Sequence, residues 1–415
     1  MPKIKPFPGI HPSPAIAAKV ALQLENLSLD DAKTIRQENP YSYVNMLVPK
    51  ILNPYLRGSR KELAYKIINE NFNDFLEQGI LVRDEKAAVY VYEISHNGLT
   101  QCGIWTVTSI DDYLDNTVRK HEHTRKEREN ALIEYIRQTG IDANPVLIAH
   151  LPNEQIDRVI RTAMETAPLL EFASEGERHK LWCINEPDRL QELVGIFSNL
   201  GRTYIADGHH RAASACGYGI ERRKLNLKHR GTEEYNFFTS VYMSTGQLKV
   251  YEFYRLISDT RGLSTTALLE QLRTHFILEN SPANEPLKPP GPRRFGMYHA
   301  GKWYLLSLKD QHPGNDNPVA ELDVSLLQDL VLNPILGIGD PRTDNRIQFI
   351  GGTTPLQELS RMVDDGGTAI AFTLYPTSID ELIRVADSGE VMPPKSTWFE
   401  PKFRAGLLIH QVDEL

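Results

Sequence analysis

Apolar positions along the 415-residue chain change period several times, and each change marks an element. Residues 28–80 carry helical spacing. "SLDDAKTIRQEN" opens on Ser28 as an N-cap, with acids in the first turn, and stops before Pro40. "RKELAYKIINENFNDFLEQG" repeats apolar residues at helical intervals up to Gly79. The period then shortens: "AAVYVYEISHNGLTQCGIWTVTSI" is two β-rich runs joined by Asn97-Gly98, a pair that favours a two-residue hairpin turn. The polar run "RKHEHTRKERENALIEYIRQTG" enters a helix near Arg125 and ends at Gly140. "NPVLIAHL" and "RHKLWCIN" follow as strands, with "QIDRVIRTAMETA" as a helix between them and "PDRLQELVGIFSNLG" as an amphipathic helix ending at Gly201.

Further on, "YNFFTSVYMS" and "LKVYEFYRLI" read as two strands turning at Thr245-Gly246, and "LSTTALLEQLRTHF" as a helix capped by Ser264. The proline-rich "ANEPLKPPGPRR" is a surface loop before the paired runs "FGMYHA" and "KWYLLSLK", and "TAIAFTLYPT" is a later strand. The alternation predicts an α+β fold of mixed sheets with flanking helices. It divides into an N-terminal region, 1–230, and a C-terminal region, 231–415.

Composition narrows the function classes. With 41% hydrophobic and 24% charged residues the chain is that of a soluble globular protein long enough for two cores. A net charge of -8 argues against nucleic acid or an anionic membrane as the main partner. No apolar run reaches membrane length, and "MPKIKPFPGI" lacks the apolar centre of a secretory leader. Cys102, Cys183 and Cys216 are too far apart for a CxxC zinc site, and their odd number fits a reducing cytoplasm.

The densest chemistry lies in "TYIADGHHRAASA", residues 203–215. A strand running through Asp207-Gly208 into a helix leaves the helix's first N–H groups pointing at the turn. Gly208 lets a ligand approach the backbone, while His209, His210 and Arg211 add donors and positive charge at the dipole's positive end. That is a good place to hold a phosphate. Asp207 fits beside it as a magnesium ligand or as a base on the group receiving the phosphate. The dull alternative is a helix capped by Asp207 with surface histidines.

Two further clusters accompany it. In "KHEHTRKER" the groups His121, Glu122, His123 and Thr124 can face a cleft, with Arg125, Lys126 and Arg128 meeting anions; alone the run also reads as a solvated charged face. The histidine spacing is not the helical HExxH zinc pattern. In "VMPPKSTWFEPKF" two prolines stiffen the approach to Lys395, Ser396 and Thr397, which suits phosphate or carboxylate, although a proline-braced turn is the simpler reading. "GIGDPRTDNRIQFIGG" is an ordinary loop with Asp344 and Arg346 as outside candidates, and neither a Walker loop nor a dinucleotide fingerprint. GxSxG and protein-kinase signatures are absent.

On these residues the chain resembles a bacterial and archaeal family known as domain-of-unknown-function family 1015. The resemblance runs nearly end to end, through "KIKPFPGI", "NPYSYVNM", "HEHTRKERENALIEYIRQTG", "YIADGHHRAASA", "DVSLLQDLVLNPILGI" and "GEVMPPKSTWFEPKFRAGLLI". Relatives usually carry a Pro-Pro-Tyr-Asp-Val-like segment before Asn39-Pro40-Tyr41; here the region reads "HPSPAIAAKVALQLENLSLDD", so its aspartate is either lost or substituted by an acid such as Glu25.

The Asp207–Arg211 turn also looks like the Gly-Cys-His-Arg turn of sulfiredoxins and the Asp-Gly-His-x-Arg turn of free serine kinases, members of the ParB/sulfiredoxin superfamily. His209 stands where sulfiredoxins have their cysteine, which excludes that thiol chemistry. The resemblance implies a cytoplasmic small-molecule kinase using ATP or ADP with Mg²⁺ and acting on free L-serine or a similar hydroxy compound. Gly208, His210 and Arg211 would hold phosphates, Asp207 would bind metal or orient the acceptor, and Glu122 would be the base. His209 would join the catalytic set, with His121, Thr124 and Lys395 completing the nucleotide cleft. Two alternatives stand: a metal-dependent phosphatase or other hydrolase built on His121, His123, Asp207 and His209, and a nucleotide-sensing module without turnover.

Overall fold

Strand-forming runs in the computed structural model assemble into one large mixed sheet, one smaller one and, among the described residues, four two-stranded pairs. Residues 1–25, 27–47, 59–309 and 316–413 are described. The chain forms two compact units, Met1–Leu248 with Pro401–Leu415, and Lys249–Glu400.

The first unit's sheet has nine strands: β1 (Ile4–Lys5), β2 (Val89–His96), β3 (Leu99–Ser109), β4 (Val118–Arg119), β5 (Val146–His150), β6 (Leu170–Ser174), β7 (Glu177–Ile184), β8 (Thr203–Asp207) and β9 (Phe237–Ser244). Their order is β6-β7-β2-β3-β9-β5-β8-β4, with β1 beside β3. Pairs β9–β5 and β8–β4 are parallel and the others antiparallel, so the sheet is mixed. The β2–β3 hairpin turns at Asn97 (φ +49°) and Gly98 (φ +78°), the two positive angles its two-residue turn requires.

Helices cover the sheet because their apolar stripes match its alternation. One apolar cluster joins Val91, Ile104 and Ile148 of the strands to Ile156, Ile160, Leu193 and Phe197 of helices Glu154–Met164 and Pro187–Phe197. A second gathers Tyr43, Phe72, Ile133, Ile136 and Tyr218. Each fully buried large side chain contributes about 1.5–3 kcal/mol. Helix α1 (Lys126–Thr139) ends on Gly140, left-handed at φ +63°. Helix α2 (His209–Leu225) enters both clusters, through Ala212 and Cys216 on one side and Tyr218 on the other. Its start is thereby fixed from two directions.

The turn at Thr245-Gly246 does not close a hairpin. β9 pairs with β3 and β5 in the first unit, whereas Lys249–Tyr251 pairs with Trp398–Glu400 in the second. Residues 231–248 and 401–415, grouped with the C-terminal region on sequence, thus belong to the first unit. Long-range pairing, which local alternation does not encode, decides this.

The second unit carries a six-stranded sheet of β10 (Phe253–Ile257), β11 (Phe276–Asn280), β12 (Arg294–His299), β13 (Lys302–Leu308), β14 (Ile347–Gly351) and β15 (Ile370–Leu374). Its order is β11-β13-β12-β15-β10-β14, antiparallel throughout. Part of the stretch read as an ordinary loop forms β14, and Arg346 there pairs with Asp344 at 2.7 Å. Among the described residues, no helix is long and apolar enough to cross a membrane.

Candidate functional site

β8 ends on Asp207 and α2 begins at His209. The pairing of β8 with β5 shifts register between Ile205 and Asp207. This irregularity breaks the alternation that would carry Asp207 onto the same apolar face as buried Ile205. Gly208 then turns left-handed, at φ +99° and ψ 26°, as the N-cap of α2. A Cβ at Gly208 would stand 2.9 Å from the Arg211 guanidinium, so glycine is needed for both conformation and space. As a cap it offers no side-chain acceptor to the first N–H groups of α2.

Asp207 does not cap the helix; it lies between two cations. Arg211 Nη2 is 2.6 Å from its Oδ2, and Lys402 Nζ is 3.5 Å from its Oδ1. Burial alone would raise this carboxyl's pKa, but Lys402 and Arg211 outweigh it and hold Asp207 ionised, well below the usual carboxylate range. Arg211 also donates through Nη1 to Asn144 Oδ1 and the Pro145 carbonyl. One guanidinium thus ties the first turn of α2 to the approach to β5.

The histidines supply shape and donors rather than charge. His121 and His209 are each 3% exposed, and their rings meet edge-on with centroids 4.4 Å apart. His209 Nε2 accepts from the His121 backbone N–H at 3.4 Å, which leaves its proton on Nδ1, 3.6 Å from Glu122 Oε2. Burial, partly offset by Asp207, pushes the His121 imidazole down to about 4. Burial and then neighbouring His121 push His209 well below its ordinary value. His210 is also lowered, by burial and then by Arg128, and its Nε2 accepts from the Arg125 N–H at 3.0 Å. All three are neutral at neutral pH, which corrects the positive charge expected of His209 and His210. His121 Nδ1 is buried without a hydrogen-bond partner.

Asp207, Gly208, His209, His210, Arg211, His121 and Glu122 therefore gather around the start of α2. Thr124 sits at the edge, donating to Glu129 of α1. Arg125 and Arg128 are exposed beside His210 and keep the surroundings positive. Lys395 lies in the second unit, its ammonium 4.9 Å from the centre of the Phe253 ring. The cation that joins Arg211 beside Asp207 is Lys402, seven positions further along the chain than Lys395. Lys402, Asn144 and Pro145 carry no local signal in the sequence, and only tertiary folding brings them to the turn. Among the described residues, no three His, Cys, Asp or Glu side chains converge as a metal-binding group, so the convergence of His121, His123, Asp207 and His209 required by the hydrolase alternative is not present.

Several solved structures are similar to this chain at low identity. Free serine kinase in complex with AMP is 17% identical, covering 72% of this chain and 88% of that one, with a TM-score of 0.35. SbnI from Staphylococcus aureus, truncated at its C-terminus, is 14% identical over 72% of this chain and 84% of its own, with a TM-score of 0.36. A conserved hypothetical protein from Pyrococcus furiosus is 15% identical over 72% of this chain and 91% of its own, at 0.34. No curated protein matches the chain in sequence. Residues 4–325 match the family described as "Protein of unknown function (DUF1015)", and the chain belongs to that family.

Proposed function

We propose that the chain is a nucleotide-dependent phosphotransferase, a small-molecule kinase moving phosphate from ATP or ADP to a small hydroxy compound, with free L-serine the first acceptor to test. The observation that carries this reading is an ionised Asp207, held between Lys402 and Arg211, beside a helix start with no side-chain cap. Backbone N–H groups at Gly208–His210 and the positive end of α2 favour a phosphate, and Lys402, Arg125 and Arg128 surround it with further positive charge. Phosphoryl transfer asks mainly for positioning and charge stabilisation, which such a turn supplies.

The geometry supports the following roles. Arg211 places Asp207 and fixes the first turn. Neutral His209 directs its Nδ1–H toward Glu122, the candidate base on the acceptor hydroxyl. His121 and Thr124 shape the rim. Mg²⁺, held by Asp207 together with the nucleotide's phosphates, would neutralise developing charge on the transferred group. Asp207 suits it in being ionised and partly exposed, with its pair to Lys402 long enough to open. Three separated free cysteines agree with action in the cytoplasm.

A non-catalytic nucleotide sensor is the second reading. It is favoured by the stretch "HPSPAIAAKVALQLENLSLDD", which lacks the Pro-Tyr-Asp that resembling sequences usually carry in that region. Titration with ATP and ADP, with and without Mg²⁺, followed by detection of phosphoserine, separates the two. The kinase binds nucleotide and turns over; Asp207→Asn retains binding and loses on the order of a hundredfold in turnover. Binding without turnover on any hydroxy acceptor supports the sensor, and no nucleotide binding removes both.

A further inference from the structure

The second unit holds a buried cation for which the described residues supply no counter-ion. Arg255, in the middle of β10, is 3% exposed. Its Nη1 donates to the Phe253 carbonyl and its Nη2 to the Lys395 carbonyl at 3.2 Å. Among the described residues no carboxylate lies within ion-pair distance of it. Burial is the one influence on its pKa, lowering it to about 9, so no acid offsets the loss of water. A guanidinium remains charged at neutral pH, and a buried charge ordinarily has a partner of opposite sign.

Its surroundings are built rather than incidental. Residues two apart on a strand share a face, so Phe253 and Arg255 point the same way. Cross-strand partners Phe349 of β14 and Phe372 of β15 lie on that face too, and the guanidinium sits 5.4 Å from the Phe349 ring centre. Beside it, Lys395 adopts a left-handed backbone at φ +56°, which is costly for a lysine, and Arg255 grips that residue's carbonyl. The Lys395 ammonium lies over Phe253, exposed and without an acidic partner among the described residues. Ser396 is buried, its hydroxyl donating to the Pro393 carbonyl at 2.6 Å, and this bond closes the turn. Two cations and an aromatic wall are thus held together by the Met392–Thr397 stretch, and the roles proposed above for the start of α2 use neither of them.

We propose that Arg255 and Lys395 form a second site, for the oxyanion group of a small metabolite, a carboxylate or a phosphate. Arg255 would supply a planar, buried fork and Lys395 an exposed, mobile point charge. The site is independent of the phosphotransferase reading.

The test is thermal unfolding of the full-length protein in inorganic phosphate and, separately, in succinate, with chloride at matched ionic strength as the control. Whichever oxyanion belongs there raises the midpoint with concentration. The rise is expected to persist in Arg211→Ala; in that background it should vanish on adding Arg255→Met and need on the order of tenfold more anion on adding Lys395→Asn, asparagine being tolerant of the left-handed backbone. A response shared equally by Arg211→Ala and its two double variants overturns the proposal, as does an Arg211→Ala protein indifferent to both anions. If Arg255→Met does not fold, Lys395→Asn decides alone, because its side chain is exposed. Phosphate without succinate, or the reverse, identifies the anion.

Discussion

Arg211 Nη2 and Asp207 Oδ2 lie 2.6 Å apart across the first turn of α2, while the same guanidinium reaches Asn144 and the Pro145 carbonyl through Nη1. Both oxygens of Asp207 are thereby engaged before any ligand arrives, one by Arg211 and one by Lys402. The pair is a frame for the turn: it keeps the acid ionised and the helix start in place.

This frame makes Arg211 irreplaceable by lysine. Arg211→Ala should weaken ATP and ADP binding at least tenfold, roughly 1.4 kcal/mol, and lower stability by about 1–3 kcal/mol as Asn144 and Pro145 lose their donor. Arg211→Lys keeps the charge but reaches one acceptor at a time, so it should recover part of the stability and little of the affinity. Calorimetric titration and urea unfolding of the three proteins measure both. Affinity unchanged in Arg211→Ala would remove the arginine from the nucleotide site.

Local signals made several parts legible. Asn97-Gly98 announced its hairpin, Gly140 its helix end, and Asp207-Gly208 its strand-to-helix turn, because each depends on backbone angles that few residues adopt. The candidate residues around the turn were legible for the same reason, being close in sequence or already polar and clustered. Lys402 was not: its contact with Asp207 spans 195 positions, and nothing in "FEPKF" distinguishes it from the lysine of "PPKST". The neutral histidines were hidden too, since burial and the edge-on contact of His121 with His209 set their charge. Residues 231–248 went to the other unit because partner choice among strands is non-local.

Burial of His121 carries a pH dependence whose sign can be stated. Its imidazole is lowered to about 4 in the folded protein, against about 6.5 when unfolded. Between those values the unfolded chain binds the extra proton, so this residue's contribution to stability is complete above about pH 6.5 and is lost as pH falls toward 4. Buried Asp142 and Asp112, raised to about 6, act in the opposite sense over part of that window. The difference between wild type and His121→Gln isolates the histidine. Urea unfolding at pH 4.5, 5.5 and 6.5 should show a wild-type slope steeper by up to about 1.4 kcal/mol per pH unit. Parallel profiles would mean that His121 titrates normally.

Gly208 offers the sharpest separation of backbone strain from site geometry. Its φ of +99° forces any L-residue into a conformation costing about 1–2 kcal/mol, and a Cβ would also press on the Arg211 guanidinium at 2.9 Å. That guanidinium is the end of a long side chain, but its bonds to Asp207, Asn144 and Pro145 prevent it from moving freely. Gly201, at φ +77° with nothing within 4 Å of a built Cβ, has the same backbone demand and no neighbour to displace. Gly201→Ala should therefore cost about 1 kcal/mol and leave nucleotide affinity untouched. Gly208→Ala should cost more and weaken nucleotide binding at least tenfold, because moving Arg211 also shifts the first turn of α2, whose N–H groups face the phosphate. Thermal unfolding and calorimetry on the two alanine variants read each effect. Equal losses of stability with nucleotide affinity intact in both would show that Gly208 serves the turn's conformation alone, and that the position of the Arg211–Asp207 pair does not govern binding.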